Sequence, residues 1–93
     1  MSAPTLASFD ATAAWQLSEQ VSLRDESFGA LAYHHGNRRL VFLKSRELVE
    51  VVRALSGHES ARATVAALVP ELQRSNYEAA LASLAVSDVL NVR

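Results

Sequence analysis

Residues 33–45 read YHHGNRRLVFLKS. Four apolar residues in a row, Leu40, Val41, Phe42 and Leu43, follow the loop-forming triplet His35-Gly36-Asn37. A strand on the surface of a small antiparallel sheet alternates, with apolar side chains inward and polar ones outward. LVFL does not alternate, so both of its faces need cover. Either it is a central strand covered on both sides by its own chain, or it is an edge strand whose outer face and unpaired backbone meet another molecule.

Gly36 and Asn37 tolerate positive φ, so 35–37 predicts a tight hairpin loop between strands at 28–34 and 38–43. Upstream, Trp15, Leu17, Val21 and Leu23 are apolar at period two, separated by polar residues. This predicts a half-buried strand, or an extended segment that becomes one near Val21, followed by the polar turn Arg24-Asp25-Glu26-Ser27. Residues 1–14 are small and weakly hydrophobic, and read as a mobile arm with Phe9 its one candidate for docking.

The period changes at Ser45, a plausible N-cap. Leu48, Val49, Val51, Val52 and Leu55 form an amphipathic stripe, with Gly57 expected in the C′ position. A second helix is expected from Ser60 to Pro70, and a third from a capping box at Ser75-Asn76-Tyr77-Glu78. Asp88 is expected to take the left-handed turn before a short strand through Val89, Leu90 and Val92. The predicted fold is α+β and winged helix-turn-helix-like, a three-stranded antiparallel sheet followed by three helices. Residues 15–93 form its one domain.

The bulk composition narrows the function classes. Ninety-three residues with a formal charge of −1 offer no general electrostatic attraction to nucleic acid or anionic lipid. The absence of cysteine excludes thiolate metal sites and thiol nucleophiles. MSAPTLASFDATAA has neither the basic nor the continuous apolar part of a secretory signal, and no apolar run approaches bilayer length, so a cytoplasmic, non-membrane protein is expected. His34 and His35 are adjacent on a strand and point to opposite faces, so no metal site is expected there. No spacing suggests a catalytic triad or a phosphate loop. A DNA-reading helix carries Arg, Lys, Asn or Gln; helix 76–86, NYEAALASLAV, has no Lys or Arg and one charge, Glu78. DNA binding, the alternative that the fold class raises, is disfavoured.

The same helix could wall a shallow apolar groove with Tyr77, Ala80, Leu81 and Leu84, while LVFL forms its floor. At a sheet edge, the N–H and C=O groups of LVFL would pair with an extended guest by β-strand addition. If the Val41 N–H is the donor that bonds it, Val41→Pro should abolish guest binding, since proline cannot donate. Arg38, Arg39, Lys44 and Arg46 flank the strand with no acid between them; they are either a solvated edge or an attraction for an acidic guest.

The block FGALAYHHGNRRLVFLKS, residues 28–45, followed by RELVEVVRAL, resembles the mycofactocin precursor-peptide chaperone family. These are recognition elements for ribosomally made precursors, similar to the pyrroloquinoline quinone biosynthesis chaperone. The likeness runs from about Trp15 to Leu90 and is most specific over 28–55. It implies a non-catalytic adaptor without a cofactor of its own; an uncovered strand edge, which can pair with itself, leaves monomer and weak homodimer both open. Such an adaptor holds the leader of the mycofactocin precursor peptide and presents it to a radical S-adenosylmethionine maturase. That enzyme acts on a C-terminal Val-Tyr pair by oxidative decarboxylation and then carbon–carbon closure. The resemblance implies leader contacts at Arg39, Leu40, Val41, Phe42 and Leu43 on the strand and at Tyr77, Ala80, Leu81 and Leu84 on the helix.

Overall fold

The structure, a computed structural model, describes residues 9–93. Its elements run β1 (Trp15–Leu17), β2 (Val21–Glu26), β3 (Gly29–His34), β4 (Leu40–Leu43), α1 (Arg46–Ala54), α2 (Ala61–Leu68), α3 (Arg74–Val86) and β5 (Leu90–Val92). The expected α+β, winged-helix-like arrangement is present: β2, β3 and β4 form a three-stranded antiparallel sheet in that order, and three helices follow. A second, two-stranded sheet joins β1 to β5, with Trp15 opposite Val92 and Leu17 opposite Leu90.

The segment 15–23 divides where Ser18 folds the chain. The Val21 N–H donates to the Ser18 carbonyl at 3.1 Å, and the Ser18 Oγ accepts from the Gln20 N–H. The expected turn at 24–27 also shifts. β2 continues to Glu26, its charges tolerated because Arg24 pairs with Glu26 at 2.7 Å and Arg53 of α1 with Asp25 at 3.2 Å. Ser27 and Phe28 alone make the turn, between the paired Glu26 and Gly29.

The β3–β4 loop is held differently from its sequence expectation. The positive φ falls on Arg38, at 64°, rather than on Gly36 or Asn37. The buried His34 ring organises the loop, since its Nδ1 accepts from the Gly36 and Asn37 N–H groups at 3.0 and 3.1 Å. His35 turns the other way, to Ser22 at 2.8 Å. Among the described residues no group of three His, Asp or Glu side chains could hold a metal ion.

Ser45 and Ser60 cap α1 and α2 as expected, each Oγ accepting at 3.0 Å from the N–H three residues on. Gly57 does not serve as C′; it closes a 3₁₀ turn, Leu55–Gly57, that extends α1. The capping box at Ser75 does not form either. A preceding 3₁₀ turn, Glu71–Gln73, feeds straight into α3, whose cap position falls on Gln73, two residues earlier, so Ser75 is helical and Glu78 is taken by Arg62 at 3.1 Å. That hydrogen bond raises the Arg62 pKa and directs the one acid of α3 toward α2. Asp88 is left-handed as expected, with φ 63°.

Ala30 and Ala32 present almost no side chain on the inner face of β3, which lets α1 lie close against it. Leu43, Val51, Val52, Leu55, Val65, Leu81 and Val89 fill the core behind them. Each such leucine contributes roughly 2–3 kcal/mol of transfer free energy. The mobile arm expected over 1–14 lies outside the described residues for 1–8. Over 9–14, Phe9 stacks on Trp15 at 4.9 Å, and the Ala13 and Ala11 carbonyls accept from Ala61 and Arg62 at the start of α2. Among the described residues no helix is long and apolar enough to cross a membrane.

Gly29 sits at φ 152°, and a Cβ there would collide with the Leu43 carbonyl oxygen. Only glycine lets β4 close against the start of β3. We predict that Gly29→Ala costs about 2 kcal/mol or more and lowers the melting temperature by roughly 10 °C. Thermal melts followed by circular dichroism check this; an unchanged midpoint would contradict it.

Candidate functional site

β4 pairs with β3 alone among the described residues, so LVFL is an edge strand. Its register fixes which backbone groups remain available. The His34 N–H donates to the Arg39 carbonyl at 2.9 Å, and the register places Ala32 opposite Val41 and Ala30 opposite Leu43. Antiparallel ladders alternate bonded and non-bonded pairs. Val41 and Leu43 therefore exchange hydrogen bonds with β3, while the N–H and C=O groups of Leu40 and Phe42 face away from the sheet. The donor expected at Val41 is thus turned inward to β3, and the outward donors are Leu40 and Phe42.

The side chains follow the same two-residue rhythm at right angles to the hydrogen bonds. Val41 and Leu43 point to the helices, half-buried and fully buried respectively. Leu40 and Phe42 point to the outer face and are 54% and 55% exposed. That face is apolar beyond β4: the Phe28 and Phe42 rings meet at 5.9 Å, and Tyr33 lies opposite Leu40. The missing alternation in LVFL arises because its outer face is apolar and uncovered by any described element.

Between the β4 edge and α3 runs a groove with two adjoining hollows. The larger, about 420 Å³, is bounded by Val41, Phe42, Ser83, Leu84 and Ser87. The smaller, about 220 Å³, is bounded by Ser45, Asn76 and Tyr77. Lys44, Leu48 and Ala80 line both. α3 runs antiparallel to β4, its N-terminal end beside Lys44 and its C-terminal end beside Val41.

Of the residues expected at the site, the fold brings Val41, Phe42, Tyr77, Ala80 and Leu84 to the groove. Leu40 and Arg39 lie at the exposed start of the strand. Leu43 and Leu81 have no exposed surface and belong to the core, so their side chains present nothing to a guest. The basic flank divides. Lys44 lines the groove, Arg38 and Arg39 stand at the hairpin end, and Arg46 enters a separate cleft with Asp25, Glu50 and Arg53.

Sequence reasoning missed Leu48, Asn76, Ser83, Ser87 and Phe28. Leu48 reads as one more core position of the α1 stripe. Its signal lies in the width of that stripe, five apolar positions where Val49, Val51, Val52 and Leu55 already fill the core. The serines and Asn76 carry no sequence signal, because they matter only through the line that α3 takes past β4.

This register makes a prediction about proline. Val41→Pro removes a bond of the β3–β4 ladder and should cost roughly 2–3 kcal/mol in urea denaturation. Phe42→Pro loses only a solvent-facing donor and should cost about 1 kcal/mol or less. Equal losses would contradict the assignment.

The peptide chaperone MftB family matches residues 14–91 of this chain. The chain is 47% identical over 83 residues to the peptide chaperone MftB of Mycolicibacterium smegmatis, covering 88% of this chain and 81% of that protein. It is 45% identical to the protein of the same name from Mycobacterium ulcerans and 41% identical to that from Mycobacterium tuberculosis, each over 88% of this chain and 76% of the relative. No solved structure matches. These matches show that the chain belongs to the peptide chaperone MftB family, a family of non-catalytic peptide-binding proteins.

Proposed function

We propose that the chain binds the leader of the mycofactocin precursor as an added strand on the outer edge of β4. In this reading the Leu40 and Phe42 backbones bond the guest, and α3 roofs it. The observation that carries it is the pairing of an open β4 edge with an apolar groove that runs beside it from Val41 to Ser45. Main-chain bonds set the register, and alternate side chains enter the groove, the division of labour in β-strand addition. Lys44 is the cation best placed to meet an acidic leader residue, because it is exposed and lines both hollows.

The partner in this reading is a radical S-adenosylmethionine enzyme that modifies the other end of the precursor. The adaptor supplies no chemistry. It raises the local concentration of the substrate segment to about millimolar for a short flexible link. Ordering the leader costs roughly 2–5 kcal/mol of the contact energy, which suits a guest that must later leave. DNA recognition is disfavoured on a further ground. The single Arg of α3, Arg74, spends its guanidinium on the Val69 and Ala66 carbonyls at 2.8 and 3.1 Å.

Isothermal titration with the N-terminal half of the precursor tests the proposal. Phe42→Pro should weaken binding about tenfold more than Phe42→Ala does, since only proline deletes the outward donor. Lys44→Ala should flatten the salt dependence. Equal affinity of the two Phe42 variants would count against strand addition. If the radical enzyme bound this chain equally with and without precursor, and isolated leader did not bind, a purely structural subunit would be the better account.

A further inference from the structure

The groove has a shape that selects among leaders, an inference that rests on the strand-addition reading. A strand added to a sheet keeps its pleat in phase with its neighbour. Guest residues beside Val41 and Leu43 therefore turn inward to the groove, and the one between them, beside Phe42, turns outward. The inward pair is two residues apart, ~7 Å along a strand.

The two hollows have matching spacing. Along β4 their walls shift from the level of Val41 and Phe42 to that of Lys44 and Ser45. Along α3 they shift from Leu84 back to Tyr77. Taken over all the residues that line each hollow, the mean position moves by about two residues along β4 and about six along α3, so at ~3.3 Å per strand residue and ~1.5 Å per helix residue the centres lie roughly 7–9 Å apart. That is close to an i, i+2 pair and well short of the ~13 Å of i, i+4. The hollows differ in capacity, about 420 Å³ beside Val41 against about 220 Å³ beside Lys44 and Tyr77. Ala80, lining both, is small enough to leave the passage between them open.

We propose that the groove reads two inward guest side chains two residues apart, a bulky apolar one at the Val41–Leu84 hollow and a small one at the Tyr77–Lys44 hollow. The residue between them lies against the exposed Phe42 ring, where an apolar side chain gains contact and a charged one does not. The class of ligand is therefore an extended segment of the form bulky–apolar–small, in the direction from the α3 C-terminal end to its N-terminal end.

A displayed library of random 12-residue peptides, selected on the purified full chain, tests the pattern whatever the sequence of the natural leader. Enriched peptides should share a bulky and a small residue two positions apart in one constant order, bulky–x–small for a guest parallel to β4 or small–x–bulky for an antiparallel one. In fluorescence polarisation, such a peptide should bind about tenfold more tightly than the same peptide with the two inward residues exchanged. Ser83 is exposed on α3, so Ser83→Leu should fold, as circular dichroism verifies, while narrowing the larger hollow. On that variant the tenfold preference should fall to roughly threefold or less. Enrichment with apolar residues at another spacing, or with no size order, would overturn this pattern and leave strand addition standing. No enrichment at all would overturn both.

Discussion

A strand in an antiparallel pair sends every second residue's backbone to its partner and the others the opposite way. In β4 this parity puts Val41 and Leu43 in the service of the fold, through β3. It leaves Leu40 and Phe42 with polar groups that the described chain does not bond. Leaving them to water is cheap, whereas burying them unpaired would be costly. The edge therefore tolerates either solvent or a partner backbone, and the apolar groove beside it favours the partner. Gly29 and His34 maintain this state from the two ends of the β3–β4 pair. One allows the strands to meet at Leu43, and the other ties down the loop that aims Leu40.

The helices divide their labour in the same way. α1 buries Val49, Val51, Val52 and, just beyond its end, Leu55, but turns Leu48 half-exposed toward the groove. α3 buries Leu81 and Leu84 while presenting Tyr77, Ala80 and Ser83 along the opposite wall. A groove formed between elements that also share a core is pre-organised, so binding orders the guest more than the host. The outer face, with Phe28, Tyr33, Leu40 and Phe42 exposed, adds apolar surface next to the place where a guest would lie.

Much of this is legible in the sequence because it depends on short-range physics. Ser45 and Ser60 cap their helices, Asp88 takes the left-handed turn, and the run LVFL marks a strand whose outer side is apolar without cover. The errors share a cause, the override of local signals by tertiary contacts. Ser75 looks like a cap until a 3₁₀ turn delivers the chain to α3 already helical. Gly36 and Asn37 look like the positive-φ residues until the His34 ring accepts their amides and moves that conformation to Arg38. Val41 looks like the outward donor because composition cannot set ladder parity, which is decided by the first closed pair, His34 with Arg39. The division of the basic flank is equally hidden, since near neighbours in sequence, Lys44 and Arg46, diverge where the strand becomes a helix.

Amide hydrogen exchange, read residue by residue, tests the central claim most directly. In the chain without its guest, the Val41 and Leu43 amides should exchange slowly and those of Leu40 and Phe42 rapidly. Adding precursor peptide should slow Leu40 and Phe42 while changing the other two little. Protection of Leu40 and Phe42 before any peptide is added, or their continued rapid exchange in the saturated complex, would contradict the account.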